Sequence, residues 1–198
     1  MADHVGKFRK RAPHTTASQR LMATTAAMLS LLLLTSGCGG PKVNYSIPSS
    51  LCGIHVGRDL LRPFFPPGDR VEFDGDSFPG DTKAKSFCQY YVDGNTALWV
   101  DGKRSSENAT AAQKVKRFAS HAHIKYWTRS DGRIAGYSGN VFGTSSCSGT
   151  PSESDGQPAR SFALEIAVTH FTSTNAVRPR LEKLMNTLLP KAAHARGC

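Results

Sequence analysis

The chain has 198 residues and a formal net charge of +10 at pH 7, from 25 basic and 15 acidic side chains. Residues 1–37 carry five of the basic and one of the acidic residues, so the remaining 161 residues have a net charge of +6 and suit one domain of ordinary size. No basic run has interleaved aromatic residues, which argues against nucleic-acid binding. The mild positive charge instead favours anionic headgroups or other anionic envelope components.

The N-terminal segment has the layout of a bacterial export signal. Basic residues come first, an apolar stretch follows at residues 21–34, and small residues lead from there to Cys38. A helix that spans a membrane needs roughly 20 predominantly apolar residues, and this stretch is shorter than that. We therefore predict a cleaved signal peptide at residues 1–37 rather than a permanent transmembrane anchor.

The end of the leader, Thr35-Ser36-Gly37-Cys38, resembles the lipobox at which lipoprotein signal peptidase cuts before an S-acylated cysteine, although Thr35 stands where leucine is usual. The chain has five cysteines, and an odd cysteine in an exported protein requires an explanation. Assigning palmitate or a similar acyl group to Cys38 leaves an even set of four. Because two or more acyl chains give stable anchoring, we predict a lipoprotein on the extracytoplasmic face of the cell membrane. The alternative is an ordinary secreted protein with a free Cys38 thiol.

Residues 38–50 form a polar segment with Gly, Pro and Ser throughout, and we predict that it is a tether between the membrane and a domain at residues 51–198. A short helix or turn is expected at residues 59–65 and a brief strand at residues 71–73. Two runs rich in aromatic and β-branched residues then flank Asp93-Gly94-Asn95, which is typical of the tight turn of an antiparallel hairpin. The two strands of this hairpin are predicted at residues 86–92 and 96–100.

Helical periodicity predicts two further helices, at residues 106–120 and at residues 175–189, where Pro190 is expected to end the second. Between them lies the strongest strand signal of the chain, an apolar run at residues 162–171. Hairpins with helices between them favour an α+β fold: a single domain with an antiparallel β-sheet packed by two or three helices on one face. Further strands are expected at residues 124–127 and 133–142, and a long polar loop at residues 144–158.

The four cysteines that remain after Cys38 is assigned are expected to form disulfides in an oxidising compartment. Four cysteines allow three connectivities, of which we predict Cys52–Cys88 with Cys147–Cys198. The first bond would tie the start of the domain to the first hairpin strand. The second would fix both the final residue and a long loop. Crossed pairings and four reduced thiols are the alternatives.

Several short motifs together point to one group of proteins. They are the cysteine at Cys38 with its tether, Leu51-Cys52-Gly53 with Leu60-Leu61, Pro66-Pro67-Gly68, and Cys88-Gln-Tyr-Tyr-Val-Asp-Gly94. In these motifs the chain resembles small actinobacterial cell-envelope lipoproteins of unknown function. The resemblance implies an exposed, membrane-anchored α+β domain and supplies no catalytic residues.

Three histidines are the candidates for a metal site. His121 and His123 would lie on one face of an extended segment, and His170 follows the strong strand. Such a set could bind Zn²⁺ or Cu²⁺. No cysteine is spare and no carboxylate flanks the pair, so we favour surface histidines at a helix end and predict no metal site.

Two other motifs fail on closer comparison. The segment from Asp74 to Asp81 suggests a calcium loop, but Pro79 and Lys85 stand where an EF-hand requires glycine and glutamate, so a plain turn is predicted. Gly136-Tyr-Ser138-Gly139 resembles a nucleophile elbow, but Asn140 stands where that pattern requires glycine. Neither motif is assigned a function.

Aromatic residues of the predicted strands are candidates for lining a ligand groove, although such side chains usually divide between core and surface. They are Tyr90, Tyr91, Trp99, Tyr126 and Trp127.

No catalytic motif is found, so an enzyme is not predicted and no cofactor is expected. We expect a non-enzymatic, membrane-anchored module of the bacterial cell envelope that binds a small molecule, a wall component or a protein partner. The alternative is an envelope hydrolase or metal-dependent enzyme, which would need a convergent polar cluster that the sequence does not reveal. A purely structural envelope protein is the third possibility.

Overall fold

The computed structural model describes residues 40, 42–81, 83, 85–129, 131–148 and 157–198. The predicted signal peptide at residues 1–37 and the predicted acylation site Cys38 lie outside the described residues. The chain divides after Gly40 into two units, of which the second, Pro41–Cys198, is compact and contains every element named below.

The described part of the second unit contains nine strands and three α-helices. The helices are α1 (Arg58–Leu61), which a 3₁₀ turn at Arg62–Phe64 continues, α2 (Ala111–Ala122) and α3 (Thr174–Ala195). The strands are β1 (Ser50–Leu51), β2 (Ile54–His55), β3 (Val71–Gly75), β4 (Lys85–Val92), β5 (Asn95–Ser105), β6 (Trp127–Thr128), β7 (Ile134–Tyr137), β8 (Asn140–Ser146) and β9 (Ser161–Val168).

Seven strands form one antiparallel sheet in the order β3-β4-β5-β9-β8-β7-β6, and β1 pairs with β2 in a separate ribbon. The strand with the strongest apolar run, β9, is the fourth of the seven and joins the two halves of the sheet. Alternate residues of β9, from Phe162 to Val168, are buried in the core beneath α3, which explains the apolar sequence of this central strand. The prediction of an α+β domain with an antiparallel sheet is confirmed.

The hairpin of β4 and β5 turns at Asp93 and Gly94, whose φ angles of 50° and 78° are both positive, as a type I′ turn requires. The second strand continues to Ser105, beyond the predicted end at residue 100, because Gly102 lies inside the sheet. A Cβ atom at Gly102 would stand 2.9 Å from the ring of Phe78, so this glycine allows a close contact instead of ending the strand.

The segment predicted as one strand at residues 133–142 is the hairpin of β7 and β8. Tyr137 pairs with Asn140, and the chain reverses through Ser138 and Gly139. Ser138 has φ of 45°, a left-handed conformation that few residues other than glycine adopt. The segment that resembled a nucleophile elbow is therefore a tight turn.

Both long helices differ in their bounds from the prediction. α2 begins at Ala111 because Thr110 caps it: the Thr110 hydroxyl accepts a hydrogen bond from the Gln113 backbone N–H at 3.2 Å, and the Gln113 side chain accepts one from the Thr110 N–H at 2.9 Å. α3 continues past Pro190 to Ala195. Pro190 and Asn186, whose carbonyl loses its usual partner, are both exposed, so water can replace the missing donor.

The two long helices cover opposite faces of the sheet, whereas the sequence favoured one face for all helices. On one face, Gly143 of β8 lies directly beneath α3, where an added Cβ would stand 2.5 Å from the Met185 sulfur. The next residue, Thr144, faces α2 and accepts a hydrogen bond from the Ala111 N–H at 3.2 Å. This division is possible because β7 and β8 bury apolar side chains on both faces. Ile134 and Val141 pack on the face that α3 covers, and their neighbours Ala135 and Phe142 pack on the face that α2 covers.

The domain starts earlier than the predicted boundary at residue 51. Val43 forms a parallel bridge with Gly68, Tyr45 donates a hydrogen bond to the Pro66 carbonyl, and Ile47 is only 7% exposed. Of the predicted tether at residues 38–50, the part from residue 42 onward is therefore packed against the domain. Ile47 is buried and Tyr45 is packed against the core, and these contacts of two apolar side chains in a largely polar segment account for the difference.

The four cysteines of the domain lie in two pairs at disulfide distance. The Cα atoms of Cys52 and Cys88 are 5.8 Å apart, and those of Cys147 and Cys198 are 4.1 Å apart. The first pair joins the β1–β2 ribbon to the sheet. The second joins the last residue of the chain to the segment that follows β8. The two pairs thus hold the β1–β2 ribbon and the C-terminal residue to the sheet.

Candidate functional site: a groove on the open face of the sheet

The face of the sheet opposite α3 is only partly covered. α2 packs over β7 and β8, while among the described residues no helix packs closely over β4, β5 and β9 on this side. Alternation along β9 places Ala163, Glu165 and Ala167 on this face. Because two of these three side chains are methyl groups, the surface above β9 forms a trough with Glu165 at its centre.

Aromatic side chains form the walls of this trough. On one side, the rings of Trp99 and Phe87 lie 6.1 Å apart. On the other side, Phe142 lies 5.8 Å from Tyr137, and the Phe118 ring of α2 stacks on Tyr137 at 5.0 Å. We call this trough the β9 groove. The residues that define it are Phe87, Trp99, Asp101, Lys103, Lys114, Phe142, Ala163, Glu165 and Ala167.

The strand register places two carboxyl groups side by side in the β9 groove. Asp101 lies directly opposite Glu165 across β5 and β9, and directly opposite Phe87 across β4 and β5. Residues in such positions have Cβ atoms about 4.5–5.5 Å apart. The Lys85 ammonium lies 2.7 Å from an Asp101 carboxylate oxygen, so Asp101 is held as an ion pair.

A cavity of about 210 Å³ lies at the end of the groove next to α2. Two lysines, Lys103 from β5 and Lys114 from α2, line it together with Phe142 and Glu165. The groove therefore has cations at one end, carboxyl groups at its centre and the Trp99 ring towards the other end.

Burial alters the protonation of two groups in the cavity. Desolvation, assisted by the nearby Asp101 charge and opposed by Lys85, raises the pKa of Glu165 to about 7. Desolvation also lowers the pKa of the Lys114 ammonium, with a smaller effect in the same direction from Lys103. Shifted titrations that converge on one cleft are a recognised mark of a functional site.

The groove can bind a ligand by two kinds of contact. Asp101 and Glu165 can accept hydrogen bonds from hydroxyl or amide groups, and the lysines can donate them. The aromatic walls can pack against apolar faces of the same ligand. From Ala163 to Glu165 the accessible floor runs about 7 Å, at roughly 3.3 Å per residue of strand, and Ala167 beyond it is only 5% exposed. An open trough suits a segment of an extended molecule better than a small, enclosed one.

The five aromatic candidates from the sequence separate in the structure. Trp99 lines the groove, and Tyr91 lies on the same face and accepts a hydrogen bond from Gln89. Tyr90 is buried on the opposite face, where its hydroxyl donates to the Ser50 carbonyl at 3.1 Å. The remaining two lie outside the groove. Tyr126 is exposed, and Trp127 lies under the Arg178 guanidinium at 4.6 Å.

The charged residues of the groove were not predicted from the sequence. Asp101 lies directly after the strand predicted at residues 96–100, and Lys114 lies in the helix predicted at residues 106–120, where nothing in the sequence indicates that its side chain enters a cavity. Glu165 did carry a signal, since it is the one charged residue within the apolar run at residues 162–168. A single carboxyl group in a central strand is costly to bury, and such a residue is a reasonable functional candidate.

The histidine candidates do not meet. His121 and His123 are exposed at the end of α2, where His123 has the left-handed φ of 52°, and His170 is exposed beyond the end of β9. Within the described ranges, no group of three or more His, Cys, Asp or Glu side chains is placed to hold a metal ion.

The carboxylates of the supposed calcium loop have other partners. Asp76 lies 2.8 Å from the Lys83 ammonium, and that hydrogen bond lowers the pKa of Asp76. Asp81 accepts a hydrogen bond from the Ser86 hydroxyl and lies 3.2 Å from the buried guanidinium of Arg196. These contacts fix the loop between β3 and β4 to the end of α3.

No protein-family model, curated protein or solved structure matches the chain. In the part of the chain that the structure describes, no helix is both long enough and apolar enough to cross a membrane. The resemblance to envelope lipoproteins and the acylation of Cys38 stay predictions from the sequence.

Proposed function

We propose that the protein is a lipoprotein of the bacterial cell envelope, anchored in the membrane through Cys38 on its extracytoplasmic side, and that its domain is a non-enzymatic binding module. Its ligand is a segment of an extended wall component, held in the β9 groove. The observation that carries this proposal is the groove itself: aromatic walls, an alanine floor and a central pair of carboxyl groups on a sheet face that α2 covers only in part.

The composition of the groove supports binding of a polar polymer. A ligand rich in hydroxyl and amide groups can satisfy Asp101, Glu165 and Lys114 at once, while Trp99 and Phe142 pack against its less polar faces. Because the trough is open along β9, a chain longer than the trough can enter from the side. A half-buried carboxyl group is costly to the fold, and ligand contacts are a physical reason to keep Glu165 at this position.

The anchor is tested by mass spectrometry of the mature N-terminus. We expect cleavage between Gly37 and Cys38 and a diacylated or triacylated Cys38. We also expect a Cys38→Ala variant to leave the membrane fraction. An unmodified Cys38, or a Cys38→Ala protein that stays with the membrane, contradicts the anchor.

Binding is tested with tryptophan fluorescence, since the chain has only two tryptophans. The Trp127→Phe variant leaves Trp99 as the reporter inside the groove. Soluble glycan fragments prepared from purified cell wall should change its emission saturably. In that background, Lys114→Glu should change the affinity by about tenfold or more, because Lys114 lines the cavity.

The matched control is Lys116→Glu, two residues further along the same helix, where the side chain is exposed. It makes the same change in net charge outside the groove and should leave the affinity within about twofold. A fluorescence response that does not saturate, or equal effects of the two lysine variants, would place the binding elsewhere.

One observation favours the alternative of an envelope hydrolase. The paired carboxyl groups of Asp101 and Glu165, with the pKa of Glu165 raised to about 7, have the composition of a general acid and base. The Asp101 carboxylate is, however, already paired with the Lys85 ammonium at 2.7 Å. Release of new reducing ends from wall glycan that Glu165→Gln abolishes would favour the hydrolase; intact glycan would favour the binding module.

A further inference from the structure

A second surface lies at the C-terminal end of β9, away from the start of α2. Two adjoining cavities there, of about 500 and 540 Å³, share Pro63 and Arg180. The segment after β9 borders the first cavity, and α1 borders the second. We call this surface the basic end. The residues that define it are Val43, Arg58, Arg62, Pro63, His170, Phe171, Arg180 and Lys183.

The charge of the basic end is strongly one-sided. Arg58, Arg180 and Lys183 are exposed, and none of their side chains forms a salt bridge with a residue that the structure describes. Among the residues that line the two cavities, Asp59 is the one carboxylate, and its fully exposed side chain lies 4.0 Å from Arg62. Several cations that lack partners on one surface favour an anionic partner.

Exposed apolar side chains accompany these cations. Phe171 borders the first cavity and is 40% exposed, and its ring covers Gly139. Val43 is 41% exposed and is bridged to Gly68, the residue after Pro67 of the same cavity. A combination of exposed apolar side chains and cations is typical of surfaces that lie in the interfacial region of a membrane.

The length of the chain places the basic end close to the proposed anchor. The backbone N–H of Gly68 donates to the Lys42 carbonyl at 3.0 Å, so the domain holds the chain from residue 42 onward. Only three residues lie between Cys38 and Lys42, and the four residue steps from one to the other span at most about 14 Å. An acylated Cys38 would therefore keep Lys42, and with it the Pro67 side of the basic end, within about 14 Å of the bilayer surface.

We propose that the basic end rests on the membrane that holds the anchor, with Arg58, Arg180 and Lys183 against anionic phospholipid headgroups and Phe171 at the interface. This inference rests on the proposed acylation of Cys38. The lipid anchor and this contact together then fix the orientation of the domain as well as its location at the membrane. An anionic protein or an anionic polymer could also bind such a surface, and the experiment below distinguishes these partners from phospholipid.

The experiment uses the full acylated mature protein in vesicles of phosphatidylcholine alone or with one quarter phosphatidylglycerol. An environment-sensitive fluorophore is attached at F171C or, as a control, at E107C. Residue 107 lies at the opposite end of β9, since its carbonyl accepts a hydrogen bond from the Ser161 hydroxyl. Quenching by acrylamide, which is neutral, reports the exposure of each label to water.

On vesicles with phosphatidylglycerol, we expect the quenching constant of the label at residue 171 to fall by about threefold or more. The label at residue 107 should not change. Combining Arg58→Glu, Arg180→Glu and Lys183→Glu should restore quenching at residue 171 although the protein stays anchored. The matched control reverses three exposed cations elsewhere, Lys116, Arg117 and Lys125, and should keep the protection.

Equal quenching at residue 171 on both kinds of vesicle, or equal effects of the two triple variants, overturns the proposed orientation while the anchor stands. Protection that appears only when wall polymer is added also overturns it, in favour of a polymer partner. A mature protein whose mass shows no acyl chains overturns the anchor, and the orientation with it. Mass spectrometry of the sample therefore distinguishes the two failures.

Discussion

Glu165 provides a quantitative test of the groove, because its environment links protonation to stability. The folded protein raises the pKa of Glu165 from 4.5 to about 7, chiefly through burial. Below pH 4.5 the group is protonated in both the folded and the unfolded chain. As the pH rises from 4.5 to 7, the unfolded chain releases its proton first, so the free energy of unfolding must fall over this range. At about 1.4 kcal/mol per pH unit, the loss amounts to roughly 3 kcal/mol at pH 8, as an upper estimate.

Glu165→Gln removes the titration while keeping the shape of the side chain. We expect this variant to match the parent protein near pH 4 and to be more stable by up to about 3 kcal/mol at pH 8. Urea unfolding at several pH values, with the disulfides intact, measures the difference. Asp59→Asn serves as the control, since it removes a carboxylate whose side chain is fully exposed. A stability difference for Glu165→Gln that does not depend on pH would refute the burial of this carboxyl group.

Three further predictions concern the fold. Replacing Cys147 and Cys198 by serine should lower the free energy of unfolding by up to about 4 kcal/mol in urea titrations, since the bond closes a loop of 51 residues. Gly75→Ala should lower the melting temperature and cost about 2 kcal/mol, because residue 75 has φ of 112° and an added Cβ would stand 2.8 Å from the Cys88 Cα. Leu184→Ala should cost about 2–5 kcal/mol in the same urea assay, because Leu184 is fully buried between α3 and the sheet; the exposed Lys183→Ala should cost less than about 0.5 kcal/mol.

Local chemistry was enough to predict much of the fold. The Asp93-Gly94 pair determines a turn through positive φ angles, and helical periodicity identified α2 and α3 although not their ends. Contacts between residues far apart in the sequence caused the errors at the boundaries of elements and of the domain. Gly102 lies within β5 because the Phe78 ring packs directly against it. Ile47 belongs to the domain because its side chain is buried there.

The groove could not be predicted in the same way. Asp101 and Glu165 are 64 positions apart in the sequence and meet only through the register of β5 with β9. Lys114 joins them because α2 packs on the face opposite α3, a division that periodicity within each element does not determine. The sequence shows which side chains are charged, and the pairing of distant strands decides which of them share a cavity.

The proposed binding site is tested most directly by nuclear magnetic resonance of the ¹⁵N-labelled protein, titrated with soluble glycan fragments of purified cell wall. We expect the largest chemical-shift changes at Trp99, Asp101 and Glu165, together with the facing part of α2 around Lys114. We expect little change at the basic end around Arg180. Shifts that concentrate outside the β9 groove, or spectra that wall fragments leave unchanged, would contradict its proposed role as the binding site.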